Sequence, residues 1–110
     1  KYAILKKLRK ANPFSSSGDP PMKCYIVSFE VATAATKNRL TGLLKAYGNY
    51  CPINDTCWAI MTDNSAAQIR DYLKTSLQEN DRIFVVRSGT GAAWLNAYGQ
   101  ANTDWLKKNL

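Results

Sequence analysis

From position 22 onward the chain switches between two spacings of apolar residues. In "CYIVSFEV" (24–31) a period of two sets Tyr25, Val27, Phe29 and Val31 on one side and Cys24, Ile26, Ser28 and Glu30 on the other. The run is rich in aromatic and β-branched residues and predicts a strand. Its first side is strongly apolar and should meet helices; the second is mixed and ends in a carboxylate. "ATAATKNRLTGLLKAYG" then takes helical spacing, with Leu40, Leu43, Leu44 and Tyr47 at i, i+3, i+4 and i+7. Thr33 or Thr36 is placed to cap its start, and Gly48 to end it in the left-handed conformation. Gly42 costs this helix about 1 kcal/mol relative to alanine, which suggests a close approach to the sheet.

"NYCPI" and "CWAIMT" flank "NDT" and predict a β-hairpin turning around Asn54 and Asp55. Pro52 has no N–H for a ladder, so the first of these strands should be an edge. Trp58, Ile60 and Thr62 share one side of the second strand, and Cys57, Ala59 and Met61 the other. In "DNSAAQIRDYLKTSL", Ser65 and Gln68 form a capping box ahead of an Ile69, Tyr72, Leu73, Leu77 stripe. "RIFVVRS" is a fourth strand, with Phe84 and Val86 on one side and Ile83 and Val85 on the other.

The order strand, helix, strand, strand, helix, strand predicts an α+β fold. It is ferredoxin-like βαββαβ, with a four-stranded antiparallel sheet, both helices on one face, and a C-terminal helical tail. The opposite face carries Cys24 and Ile26, with Trp58 or Met61 and Phe84 or Ile83. An apolar surface of that kind marks an interaction site. A homodimer through this face or its edges, or coverage by the tail, is expected. In the tail, Trp94, Leu95 and Tyr98 suggest one short amphipathic turn. Thr103 or Asp104 is placed to cap a second turn carrying Trp105, Leu106 and Leu110.

Residues 1–21 differ in kind. "YAILKKLRKANPF" spaces Ile4 and Leu8 on one side of a short basic helix, too short to be stable alone, and "SSSGDPP" reads as linker. Three origins stand open for this stretch: an expression tag or mis-assigned start, a flexible basic arm that contacts an anionic surface, or a helix docked on the core. A single domain is expected over residues 22–110.

Composition narrows the classes. The chain has 110 residues, 45% hydrophobic and 21% charged, which suits one globular domain. No apolar run approaches the roughly 18–20 residues of a membrane span, and the basic start lacks the apolar segment of a signal peptide. The formal charge of +7 invites a nucleic-acid partner. Residues 1–21 hold five basic residues and one acidic, a net of +4, which leaves +3 on residues 22–110. Three cysteines and no histidine argue against a zinc site, a disulfide framework and a catalytic triad. Reduced thiols in a cytoplasmic protein are the expectation.

"YIVSFEV", "LLKAYGNY", "DTCWAIMTD", "SAAQIRDYLK", "ENDRIFVV" and the ending "DWLKKNL" resemble small bacterial and phage proteins of the SinR family. These in turn are similar to the small ferredoxin-like CRISPR-adaptation proteins, which form dimers and scaffold the spacer integrase. Some of those have been assigned metal-dependent nuclease activity. The resemblance spans residues 22–110. It implies a dimeric, nucleic-acid-associated or scaffold role; that catalysis is not robust is expected from the residues, because Asp55, Asp63 and Asp81 fall in turns and leave few acidic ligands. In the CRISPR-adaptation family an aspartate ends the first strand as the proposed metal ligand; Glu30 stands there in this chain.

An alternative is a magnesium-dependent endonuclease built on Glu30. Across a two-fold axis two Glu30 carboxylates would repel unless a cation such as magnesium neutralised them. A water on that ion, with lowered pKa, could attack a phosphodiester, and Ser28, one pleat away, could bond the carboxylate or a phosphate oxygen. The competing reading is that Glu30 is a solvated strand-end group or a partner of Arg82 or Arg87. Lys37, Arg39 and Arg87 are the candidate phosphate contacts. A third reading is a protein-interaction module of the toxin–antitoxin or phage–host kind.

Overall fold

In the computed structural model, residues 22–89 and 91–110 are described; the expectations for residues 1–21 lie outside them. The elements follow the order that the apolar spacing predicts. They are β1 (Lys23–Glu30), α1 (Ala34–Lys45), β2 (Tyr50–Asn54), β3 (Cys57–Thr62), α2 (Ala66–Lys74), β4 (Arg82–Arg87) and α3 (Gly99–Asn109). The sheet runs β2-β3-β1-β4 with every neighbour antiparallel. This is the ferredoxin-like α+β fold with an added C-terminal helix. Among the described residues no helix is long and apolar enough to cross a membrane.

Local chemistry sets the helix limits. The Thr33 hydroxyl accepts from the Thr36 amide at 3.1 Å and starts α1. Ser65 accepts from the Gln68 amide at 3.1 Å, and the Gln68 side chain accepts from the Ser65 amide at 2.8 Å, so the capping box forms as written in the sequence. Gly48 follows α1 with φ +82°, a conformation that costs other residues a steric clash. Gly42 departs from expectation. It is exposed, and a Cβ there would meet nothing within 4 Å, so it does not serve close packing on the sheet.

Each sheet face carries its own core. Against α1 and α2, Tyr25, Val27 and Phe29 of β1 join Trp58, Ile60, Leu40, Leu44, Ile69 and Leu73, all buried. The edge strand β2 adds Tyr50 to this side, its ring stacked on Trp58 with centroids 5.3 Å apart. On the other face, Cys24, Cys51 and Ala59 are buried beneath Trp105 and Leu106 of α3. Of the expected alternatives for this face, Met61 and Phe84 occupy it; Trp58 and Ile83 turn to the helices.

The tail is one helix where the sequence suggested two turns. Residues 94–98 are not helical, and α3 begins at Gly99, whose φ of +83° swings the chain into it. Thr103 and Asp104 therefore lie inside the helix. Two polar bonds fix α3 to the β2 side of the sheet. The fully buried Asn102 donates from Nδ2 to the Pro52 carbonyl at 3.1 Å, and Trp105 donates from Nε1 to Asn49 Oδ1 at 2.9 Å. Because Pro52 sits on an edge, its carbonyl is available to a side chain instead of a neighbouring strand.

Two tests follow from this packing. Trp105→Ala should cost about 3–5 kcal/mol in chemical denaturation, and it should expose Cys51 to thiol reagents. In the wild-type chain Cys57, half-buried, should be alkylated first, with Cys24 and Cys51 protected until unfolding. Burial pushes the Cys24 and Cys51 thiols up to about 11, from 9.0. A raised folded-state value makes their contribution full below pH 9 and lost as pH climbs toward about 11. Urea titrations between pH 8 and 11 should show that decline.

Candidate functional site

The period-two strand places Ser28 and Glu30 on the open face of β1, both exposed. Ser28 lies between Cys57 of β3 and Phe84 of β4; Glu30 lies opposite Arg82. The Arg82 guanidinium donates from Nη1 to Glu30 Oε1 at 2.8 Å, with both side chains about three-quarters exposed. Glu30 is thus a strand-end carboxylate held by the arginine across from it. Among the described residues no three His, Cys, Asp or Glu side chains converge to hold a metal ion. A single chain thus presents one carboxylate at this position, and Arg82 already engages it.

Lys37, Arg39 and Arg87 are not brought together. Lys37 reaches from the first turns of α1 to the hairpin and pairs with Asp55 at 3.0 Å. Arg39 donates from Nη2 to the Thr36 hydroxyl at 3.1 Å, beside the helix cap. Arg87 lies at the far end of β4, level with Tyr25. It stands five positions along the strand from Arg82, about 17 Å at the usual rise. Asp81 is occupied in holding loops: its carboxylate accepts from the Ala32 and Gln78 amides at 3.0 and 2.8 Å.

Two further features bear on function, the first expected from the sequence only in outline and the second not assigned from it. The first is a bare strip on β4. Phe84 is 64% exposed and Val86 is 42% exposed, on the half of the open face that α3 leaves uncovered. The alternation in "RIFVVR" carried the signal; where the tail would lie decided which half stayed bare. The second is a cleft of about 540 Å³ at the opposite edge, between α1 and β2. Lys37, Thr41 and Lys45, at i, i+4 and i+8 of α1, form one wall, a spacing visible in the sequence. Tyr50, Pro52 and Trp58 lie beneath, and Tyr98 of the tail completes the lining.

No protein-family model matches the chain. No curated protein matches it either. Among solved structures, it is similar to a hypothetical protein, TT1823, from Thermus thermophilus. The TM-score is 0.59 at 17% sequence identity, over 69% of this chain and 93% of that one. A likeness at this identity speaks for the arrangement of strands and helices and for nothing else.

Proposed function

We propose that the chain works as a small paired module that associates with nucleic acid or scaffolds its handling, without robust catalysis. One observation carries the reading: Phe84 and Val86 stand exposed on an edge strand that the tail does not reach. A second copy related by a two-fold axis would bury both strips at once, because each chain presents the same patch to the other. An unpaired strand edge beside an apolar strip is a template for such an association. The nucleic-acid part draws on the basic surface. Lys45, Arg87, Lys107 and Lys108 have no ion-pair partner among the described residues, and Arg39 is exposed. The resemblance to CRISPR-adaptation proteins points the same way.

The magnesium-dependent endonuclease is the second reading. It is favoured by the position of Glu30 and Ser28 on the exposed face beside β4, where pairing would bring the two chains' carboxylates near each other. It requires Glu30 to leave Arg82. Because that ion pair is solvated, its loss costs little, about 0–1 kcal/mol.

Sedimentation of the full chain should give a dimer, and Phe84→Asp should give a folded monomer. A wild-type monomer at high concentration would end the paired reading. Labelled RNA and DNA should bind with an affinity that falls as salt rises, and Arg87→Ala should lower the slope of log K against log salt by about one. Binding unaffected by salt would count against phosphate contacts, and no binding would leave the protein-interaction reading. Glu30→Ala should change stability by less than about 1 kcal/mol. Magnesium-dependent cleavage that this variant loses would establish the enzyme in place of the scaffold.

A further inference from the structure

We propose that the cleft between α1 and β2 is a binding site for a nucleoside phosphate. Its volume of about 540 Å³ falls within the roughly 300–1,000 Å³ of small-molecule sites. Its chemistry is polarised from end to end. At the hairpin end, Lys37 is neutralised by Asp55 at 3.0 Å, so a carboxylate is presented there to hydrogen-bond donors. At the other end, Lys45 has no ion-pair partner among the described residues. The two lysines stand eight positions apart along the helix, about 12 Å. Aromatic rings share the lining, with Trp58 buried and Tyr98 42% exposed.

A ligand that satisfies all three parts has an anionic end, a flat ring, and neutral donors at the far end. A nucleoside phosphate combines them in one unit. Its phosphate meets the Lys45 ammonium as a charge-assisted contact. Its base lies against the aromatic wall, where stacking tolerates any base. Its hydroxyl or amino groups donate to Asp55. An inorganic anion would leave the rings unused, and a purely apolar ligand would leave Lys45 unmatched.

The tail helps to build the site. Gly99 turns the chain immediately after Tyr98, and one turn later Asn102 bonds the carbonyl of Pro52, itself a lining residue. The anchor that docks α3 thereby sets Tyr98 beside the cleft. The site does not depend on the proposed pairing, because β2 and β4 are opposite edges of the sheet.

The full chain should be titrated with AMP, GMP, CMP and UMP, following amide NMR shifts and tryptophan fluorescence. Saturable shifts confined to the α1 face, the hairpin and residues 98–102 are expected. Adenosine, which loses the charge-assisted contact, and inorganic phosphate, which loses the stacking, should each bind about tenfold or more weakly. Lys45→Ala and Tyr98→Ala, both exposed positions, should weaken AMP binding about tenfold, with Lys45→Arg and Tyr98→Phe retaining it. Lys74→Ala, remote on α2, should bind as wild type. A 5′-phosphorylated trinucleotide that binds more tightly than AMP, with the same Lys45 dependence, would identify a strand end as the ligand. Equal or weaker binding would identify the free nucleotide. No saturation at several millimolar nucleotide, indifference to Lys45→Ala, or full reproduction by inorganic phosphate would overturn the proposal. Phe84→Asp, run in parallel, should keep the site, so failure of pairing and failure of the cleft are separable.

Discussion

Everything in this molecule follows from an imbalance of coverage. The sheet is apolar on both faces, and the βαββαβ order supplies helices to one. The remaining face holds Cys24, Cys51, Ala59 and Met61 toward β2 and β3, and Phe84 and Val86 on β4. A single eleven-residue helix cannot cover both halves. The bonds from Asn102 to Pro52 and from Trp105 to Asn49 decide which half it takes. Once α3 sits over β2, the β4 half is left bare and Tyr98 is delivered to the cleft at the opposite edge. The two candidate interaction regions are therefore consequences of one docking event.

Much of this was legible in the chain. The switch from period two to helical spacing located β1 and α1, and Ser65 with Gln68 marked the start of α2 by a bond pattern that needs only local sequence. Pro52 identified an edge because a missing N–H is visible in one residue. What the sequence hid was the long-range part. Trp58 and Met61 alternate on β3, and choosing which of them faces the helices needs the register with Tyr25 and Cys24. Gly42 looked like a packing glycine, yet its helix face is turned to solvent. The start of α3 at Gly99, and not near Trp94, reflects docking: residues 94–98 span the approach to the sheet, and the positive φ at Gly99 serves the bend.

The candidate site divides in the same manner. Ser28 and Glu30 shared a face by simple alternation, and Arg82 was foreseeable as one partner for the carboxylate. The link from Lys37 to Asp55 joins α1 to a hairpin eighteen positions away and follows only from the fold. Lys37, Arg39 and Arg87 looked alike as isolated cations. In space they differ: one is neutralised, one braces a helix cap, and one stands at the end of an edge strand.

Pro52 has an effect on growth as well as on docking. The sheet ends on one side in a strand with a missing donor, a register shift between Pro52 and Asn54, and a carbonyl already taken by a side chain. That border is a poor template for another strand. The β4 border has no such block. Two molecules joined there would leave proline-bearing borders facing outward on both flanks, an arrangement that would oppose growth of the ribbon into a fibre.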